Sequence, residues 1–232
     1  MDLEKREIDR EDEMIPALLF TWLQGADFYY DLHRQAVELL PTGAGKTWID
    51  VGSGPGLVAR LAAQRGYQVT GVDADPQMIK AAQRIGKQQR LTIDFKTGDV
   101  FDLPAASADV VSAASLLAVI DDKQKGLNAL WRTVRPGGSL LIIEPTDQLT
   151  SENANAVMQQ EQLHKRAIGL RMWAAARQGR TVDPGIYDTL EAESMNYVPL
   201  LHGLVGAWVI QKKETLRMES LAHIVHETNA AG

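Results

Sequence analysis

Two hydrophobic periods alternate along this chain, and the points where the period changes divide it into segments. Between residues 47 and 146, short apolar runs are separated by stretches in which apolar residues recur every three or four positions. This alternation predicts parallel strands joined by helices that cover both faces of one sheet. The expected strands span 47–51, 67–73, 91–96, 109–114 and 139–144, and the expected helices span 55–65, 75–86 and 122–134.

The segments on either side of this core follow other patterns. Apolar residues from about 14 to 40 have helical spacing, and a Pro- and Gly-containing linker follows at 41–45. After Pro145 we expect one long helix over 151–178 and a second helical piece over 186–195. Two strand-like runs, 197–201 and 206–211, are close enough to form an antiparallel hairpin, and a further helix is expected after Glu214.

The chain is therefore predicted to be one α/β domain over 1–232 with a doubly wound sheet. Its expected parts are N-terminal cap helices (1–40), a cofactor-binding core (47–146), a helical insert (151–195) and a terminal hairpin (197–211).

A glycine-rich loop follows the first expected strand, with the sequence Asp50-Val51-Gly52-Ser53-Gly54-Pro55-Gly56. Glycines allow the positive-φ turns and the close approach of a ligand that a Cβ would block. The dinucleotide fingerprint would need a glycine where Leu57 stands, and a Walker loop would need Gly-Lys-Ser/Thr after the turn. The loop thus predicts a nucleotide-like ligand of another kind, and a turn with no ligand is the structural alternative.

Two acids follow the next strands. Asp73 ends the second expected strand, and Asp99 follows the third. Because the carboxyl ends of parallel strands meet at one sheet edge, both carboxylates are expected to face the crevice that holds the loop. One carboxylate can accept two hydroxyl hydrogen bonds at once, which suits a ribose.

With these motifs, residues 47–146 resemble the class I S-adenosylmethionine-dependent methyltransferases, and within them the small-molecule group of ubiquinone and menaquinone methyltransferases. The resemblance implies a Rossmann-like sheet of seven strands, mostly parallel with an antiparallel last strand. It also implies S-adenosyl-L-methionine as the cofactor and methyl transfer to a small-molecule acceptor as the activity. The cofactor-binding residues that it implies are Asp50, Gly52, Ser53, Gly54, Gly56, Asp73, Ala74, Asp99, Val100 and Ala114.

The acceptor site is less well defined, and no catalytic residue is assigned. The candidates are Tyr30, His33 and His164, with Arg171, Trp173, His202 and Glu144 as further polar or aromatic positions. In the structural alternative, Tyr29 and Trp22 are core residues, His33 lies on the surface, and the remaining positions pack or form ion pairs. Members of the resembled group often have paired histidines near Ala118 and Val119, and this chain has neither.

The composition of the chain limits the kinds of partner that it is expected to bind. A formal charge of −6 without a run of Lys or Arg argues against nucleic acid and anionic membranes. The chain has no Cys, and His223 and His226 have no evident third ligand, so no metal site is expected. A charged start and the lack of a long apolar stretch favour a cytoplasmic protein.

Two other functions stay open at this point. One is an inactive S-adenosylmethionine-binding sensor or partner subunit, and the other is a nicotinamide oxidoreductase, which Leu57 and the lack of a Tyr-x-x-x-Lys pair disfavour. The helices outside the core could form a lid or a homodimer contact.

Overall fold

A mixed sheet of seven strands forms the centre of the computed structural model, which describes residues 20–163 and 167–214. The strands are β1 (Thr47–Val51), β2 (Gln68–Asp73), β3 (Ile93–Thr97), β4 (Ala108–Ala114), β5 (Val134–Pro145), β6 (Ala192–Leu200) and β7 (Val205–Lys212). They lie in the order β3-β2-β1-β4-β5-β7-β6, with β1 to β5 parallel and β7 antiparallel to both of its neighbours. The predicted fold class is confirmed.

Helices cover this sheet and connect its parallel strands. In the described residues they are α1 (Asp27–Glu38), α2 (Leu57–Gln64), α3 (Pro76–Gln88), α4 (Lys123–Thr133), α5 (Ser151–Gln160) and α6 (Ile168–Arg177). Helix α3 begins where expected, because Asp75 accepts a hydrogen bond from the amide of Gln77 and Pro76 occupies the first turn. Strand β1 lies between β2 and β4, which places the switch point of the sheet at its carboxyl end.

Buried apolar side chains fill the space on both faces of the sheet. Residues of α1 and α2, such as Leu32 and Leu61, belong to one core layer, and residues of α4, such as Leu127, belong to the other. Trp48 is buried at the start of β1, and its indole N–H donates to the hydroxyl of Ser112 at 2.7 Å. The central strands are thereby held rigidly beneath the crevice.

Three predicted elements differ in the structure. The single helix expected over 151–178 is wrong, because α5 ends at Gln160 and Gln162 has a positive φ of 47° that no helix accommodates. The helical piece expected over 186–195 is shorter in the structure, where a 3₁₀ helix spans Pro184–Thr189 and β6 begins at Ala192. The strand expected over 139–144 begins earlier, at Val134, and residues 135–138 form an irregular part of β5 where its register with β4 shifts.

Some predictions fall outside the described residues. These are the expected helical pattern before residue 20, the helix after Glu214, and the positions of His164, His223 and His226. Within the part that the structure describes, no helix has the length and apolarity needed to cross a bilayer.

Candidate cofactor and acceptor site

A cavity of about 380 Å³ opens at the carboxyl ends of the central strands. One group of lining residues comes from the glycine loop and from the residues that follow β2, β3 and β4, and we call it the loop end. A second group comes from the helical segments before β1 and after β5, and we call it the helical end; its members are Phe20, Gln24, Tyr29, His33 and Arg177. A cavity of this size is in the range of small-molecule sites.

The three loop glycines all have positive φ values, of 65° at Gly52, 51° at Gly54 and 80° at Gly56. A Cβ on Gly52 would meet Leu116 at 2.8 Å, and one on Gly56 would meet the ring of Phe95 at 2.6 Å. A Cβ on Gly54 would have no protein atom within 4 Å. Gly54 is therefore the loop glycine whose missing side chain leaves open space in the cavity.

Asp73 holds the loop by two hydrogen bonds from backbone amides. Its Oδ2 accepts from the amide of Gly54 at 2.7 Å, and its Oδ1 accepts from the amide of Asp75 at 2.9 Å. Burial raises the pKa of this carboxyl group, and the two amides oppose that shift. Since a carboxylate offers about four acceptor positions, two of them stay available to hydroxyl groups of a ligand.

Asp50 lies beneath the loop and is almost fully buried. It accepts hydrogen bonds from the Ser112 hydroxyl at 2.7 Å and from the amide of Ala59 at 3.1 Å. Ala59 is in the first turn of α2, whose preceding residue Gly56 has no side chain to cap it. These two hydrogen bonds connect β1, β4 and α2 under the cavity. Burial raises the pKa of Asp50 to about 7.

The remaining loop-end residues lie in the same crevice. Asp99 is exposed, and its Oδ1 accepts from the amide of Phe101 at 3.0 Å, while Val100 beside it is buried. The predicted cofactor residues that line the cavity are Asp50, Gly52, Ser53, Gly54, Asp73, Ala74, Asp99, Val100 and Ala114. Gly56 does not line it, and the positive φ and close packing on Phe95 explain why it is a glycine.

At the helical end, the structure separates the two α1 candidates. Tyr30 is 39% exposed and does not line the cavity. His33 lines it and is buried, so placing this histidine on the surface is wrong, whereas the burial of Tyr29 is confirmed. The Nδ1 of His33 lies 2.7 Å from the carbonyl oxygen of Tyr29, which can only accept, so Nδ1 carries the proton and Nε2 the lone pair. Burial lowers the pKa of His33 to about 4.

The other polar candidates of the insert and hairpin do not line the cavity. Arg171 is exposed. Trp173 packs edge-on against Tyr29, with 5.2 Å between the ring centres. The Nε2 of His202 lies 2.7 Å from a carboxylate oxygen of Glu161. Glu144 is buried, and its Oε1 accepts from the amide of Leu117 at 2.8 Å.

Arg177 is a charged cavity residue that the sequence did not indicate. It lies at the last position of α6, one helical turn after Trp173. Its only signal in the sequence is that four-residue spacing from a buried aromatic residue, which many arginines in helices share.

Residues 49–142, which supply most of the loop end, match the family of the methyltransferase domain. This match supports the resemblance of the segment to the class I S-adenosylmethionine-dependent methyltransferases. The chain is 30% identical over 151 residues to a ubiquinone biosynthesis O-methyltransferase of Coxiella burnetii, covering 61% of this chain and 64% of the relative. It is 33% identical over 120 residues to a demethylmenaquinone methyltransferase of Tropheryma whipplei, covering 50% of each. The predicted resemblance to the quinone methyltransferases is confirmed.

The fold is also similar to that of solved methyltransferase structures. A proposed S-adenosyl-L-methionine-dependent methyltransferase of Methanococcus maripaludis superposes with a TM-score of 0.60 at 17% identity, covering 87% of this chain and 93% of the other. The chain spans between 43% and 64% of the length of the quinone methyltransferases it matches.

The cofactor of this class is S-adenosyl-L-methionine, and the residues of the loop end fit it. The open space in front of Gly54 can take a ligand close to the backbone, and Asp73 has acceptor positions for ribose hydroxyls. Ser53 adds a buried hydroxyl that has no hydrogen-bond partner among the described residues.

Proposed function

We propose that this chain transfers a methyl group from S-adenosyl-L-methionine to a small-molecule acceptor. The observation that supports the proposal is the cavity itself, which is lined both by the glycine loop with Asp73 and by the residues of the helical end. The proposed cofactor-binding residues are those of the loop end that line the cavity.

Methyl transfer requires alignment of the acceptor atom with the methyl carbon and the sulfur more than it requires a catalytic side chain. When bound, S-adenosyl-L-methionine supplies a methyl group attached to a sulfonium sulfur, and this sulfur is the leaving group, as a neutral thioether. The acceptor atom gains the methyl group as the carbon–sulfur bond breaks, and the bonding electron pair stays on sulfur. The enclosing helices and the loop would hold the acceptor in line and exclude water.

His33 is the proposed proton acceptor for an acceptor molecule that carries a hydroxyl group. Its Nδ1–H is fixed on the carbonyl of Tyr29, so the proton of the hydroxyl would go to Nε2. The low pKa of this buried imidazole keeps it neutral at physiological pH. His33 is preferred to Tyr30 because Tyr30 does not line the cavity.

A thermal-shift measurement with S-adenosylhomocysteine, S-adenosylmethionine and NAD in parallel tests the cofactor. At a hundredfold excess over its dissociation constant, a ligand of the native state adds about 2.7 kcal/mol of stability. We expect both sulfur compounds to raise the melting temperature by roughly 5–10 °C, and NAD to leave it unchanged. A shift with NAD alone, or with none of the three, would contradict the proposal.

The matched variants are Asp73→Asn and Asp94→Asn, which lie on neighbouring strands. Asp73→Asn should lose the shift with S-adenosylhomocysteine, because it removes a charge from the cavity. Asp94 is exposed on β3 and does not line the cavity, so Asp94→Asn should keep the shift. The melting temperature of each variant without ligand must be measured too, since Asp73 also holds two loop amides.

The inactive sensor is distinguished from the enzyme by turnover. A sensor would bind S-adenosylmethionine without producing S-adenosylhomocysteine from any acceptor tested, whereas the proposed enzyme releases one S-adenosylhomocysteine for each methyl group transferred. A cytoplasmic location and a homodimer remain predictions from the sequence, and light scattering of the purified chain would test the second.

A further inference from the structure

The two ends of the cavity carry opposite charges. The loop end contains Asp73, Asp75 and Asp99 among its lining residues, together with Asp50, whose pKa burial raises to about 7. At the helical end, Arg177 is the one lysine or arginine among the described residues that line the cavity. A ligand with an anionic group is therefore attracted to the helical end and repelled by the loop end.

Arg177 has no anionic partner among the described residues. No carboxylate of that part of the chain lies within 4 Å of its guanidinium in an ion pair, and its Nε is buried without a hydrogen-bond acceptor. Its guanidinium carbon lies 5.7 Å from the centre of the Phe20 ring. Burial lowers its pKa, yet an arginine stays charged at neutral pH. A partly buried charge without a counter-ion is costly, and a bound anion would remove that cost.

Glu144 does not neutralise this charge. It interacts electrostatically with Arg177, but one of its oxygens already accepts from the amide of Leu117 and the other has no partner. Burial raises the pKa of Glu144 to about 8, so the group is largely protonated at neutral pH. Tyr29, the other neighbour that interacts with Arg177, is neutral as well, with its pKa raised to about 12 by burial.

The helical end comes from segments outside the methyltransferase domain match. Phe20, Gln24, Tyr29 and His33 precede residue 49, and Arg177 follows residue 142, whereas the matched segment supplies most of the loop end. The chemistry shared with other methyltransferases of this class thus lies at one end of the cavity. The residues outside that match lie at the other end, where the acceptor would bind.

We propose that Arg177 binds a carboxylate of the methyl acceptor, so that this chain acts on small organic acids. The inference rests on the proposed function. The carboxylate is placed beside His33, because the Tyr29 ring packs against both His33, at 4.3 Å between ring centres, and Trp173 on α6. A planar guanidinium can hold a carboxylate by two parallel hydrogen bonds and so orient the rest of the acceptor.

The test measures binding to the protein saturated with S-adenosylhomocysteine, by calorimetry. The probes are three pairs of an acid and its amide: benzoate and benzamide, salicylate and salicylamide, phenylacetate and phenylacetamide. We expect at least one acid to bind about tenfold more tightly than its amide, since a buried charge pair contributes to affinity on that scale. Arg177→Gln should abolish this preference and leave the affinity for S-adenosylhomocysteine within about twofold.

Two further variants complete the design. Arg177→Lys keeps the charge and should retain part of the preference, which also covers the case in which Arg177→Gln does not fold. Arg180→Gln removes an exposed arginine that does not line the cavity and should retain the whole preference.

Two outcomes would overturn the proposal. In the first, the unaltered chain binds S-adenosylhomocysteine but prefers none of the acids. In the second, Arg177→Gln weakens S-adenosylhomocysteine and leaves methylthioadenosine, which lacks the carboxylate, unchanged; Arg177 would then hold the carboxylate of the cofactor product. If the unaltered chain does not bind S-adenosylhomocysteine at all, the proposed function itself is wrong.

Discussion

At the scale of single residues, the glycines of the loop have different physical reasons to be glycine. Gly52 and Gly56 lie too close to Leu116 and Phe95 to carry a side chain, which is a packing requirement. Gly54 is the one of the three that faces open space, where the proposed cofactor would bind. The spacing of the glycines predicted the loop correctly, but it could not distinguish these roles, since they depend on residues far away in the sequence.

The substitution Gly54→Ala tests this distinction, with Gly45→Ala as its control. Both glycines have positive φ, of 51° and 83°, and a Cβ on either has no protein atom within 4 Å. Each alanine should therefore cost roughly 1–2 kcal/mol of backbone strain. Only Gly54→Ala places its methyl group in the cavity, so we expect it alone to weaken S-adenosylhomocysteine binding by about tenfold or more in calorimetry. Equal affinities of the two variants would show that Gly54 does not contact the ligand.

At the scale of elements, the sequence predicted the buried strands well and the edge strand poorly. Strands β1 and β2 are central and form short apolar runs with clear ends. Strand β6 lies at the sheet edge with one neighbour, and most of its residues are exposed, so its polar start has no periodic apolar pattern. The break between α5 and α6 was missed for a similar reason, because the polar residues around Gln162 fit a helix surface and a turn equally well.

The candidate site also has one part that the sequence predicted and one that it did not. Its loop end was predictable because each residue sits at the end of a recognisable strand. Its helical end depends on how α1 and α6 pack together, and a buried His33 or a cavity-lining Arg177 has no local signal in the sequence.

The contact between α1 and α6 can be tested at Trp173. This residue is buried, its ring packs edge-on against Tyr29, and its indole N–H has no hydrogen-bond partner among the described residues. Trp173→Phe keeps an aromatic ring and loses no hydrogen bond, so we expect a loss of only about 1 kcal/mol in the free energy of unfolding. Trp173→Ala leaves a cavity and should cost about 3–5 kcal/mol. Urea denaturation of both variants measures the difference, and equal losses would mean that the N–H, rather than the ring, stabilises the contact.

At the scale of the whole molecule, the segment that matches the methyltransferase family and the segments on either side of it line one cavity. Most of the parallel part of the sheet, the loop and the acids of the loop end belong to the segment that matches other methyltransferases, whereas β6, β7 and the helical end belong to the flanking segments. Identity to the quinone methyltransferases therefore supports the cofactor more strongly than the acceptor. The charge contrast between the two ends gives the acceptor an electrostatic description that does not depend on the relatives.

Buried ionisable groups also set how the stability of the whole molecule depends on pH. Burial raises the pKa of Glu144 from 4.5 to about 8, so the folded state holds its proton over a range in which the unfolded state has lost it. The stability contributed by this protonated group is complete below pH 4.5 and is lost as the pH rises to about 8. His33 acts in the opposite sense, because its lowered pKa costs stability as the pH falls from 6.5 towards about 4.

The substitution Glu144→Gln should therefore reduce the loss of unfolding free energy that the chain shows as the pH rises. Glutamine keeps an oxygen that can accept from the amide of Leu117, and it cannot ionise, so no charge has to be buried at high pH. We expect the variant to be more stable than the unaltered chain by roughly 2–4 kcal/mol at pH 9 and nearly equal to it at pH 5, in urea denaturation. Glu191→Gln, at an exposed glutamate, should keep the original slope. If Glu144→Gln has that slope too, Glu144 ionises without cost and does give Arg177 an anionic partner, which would remove the reason for an acid at the helical end.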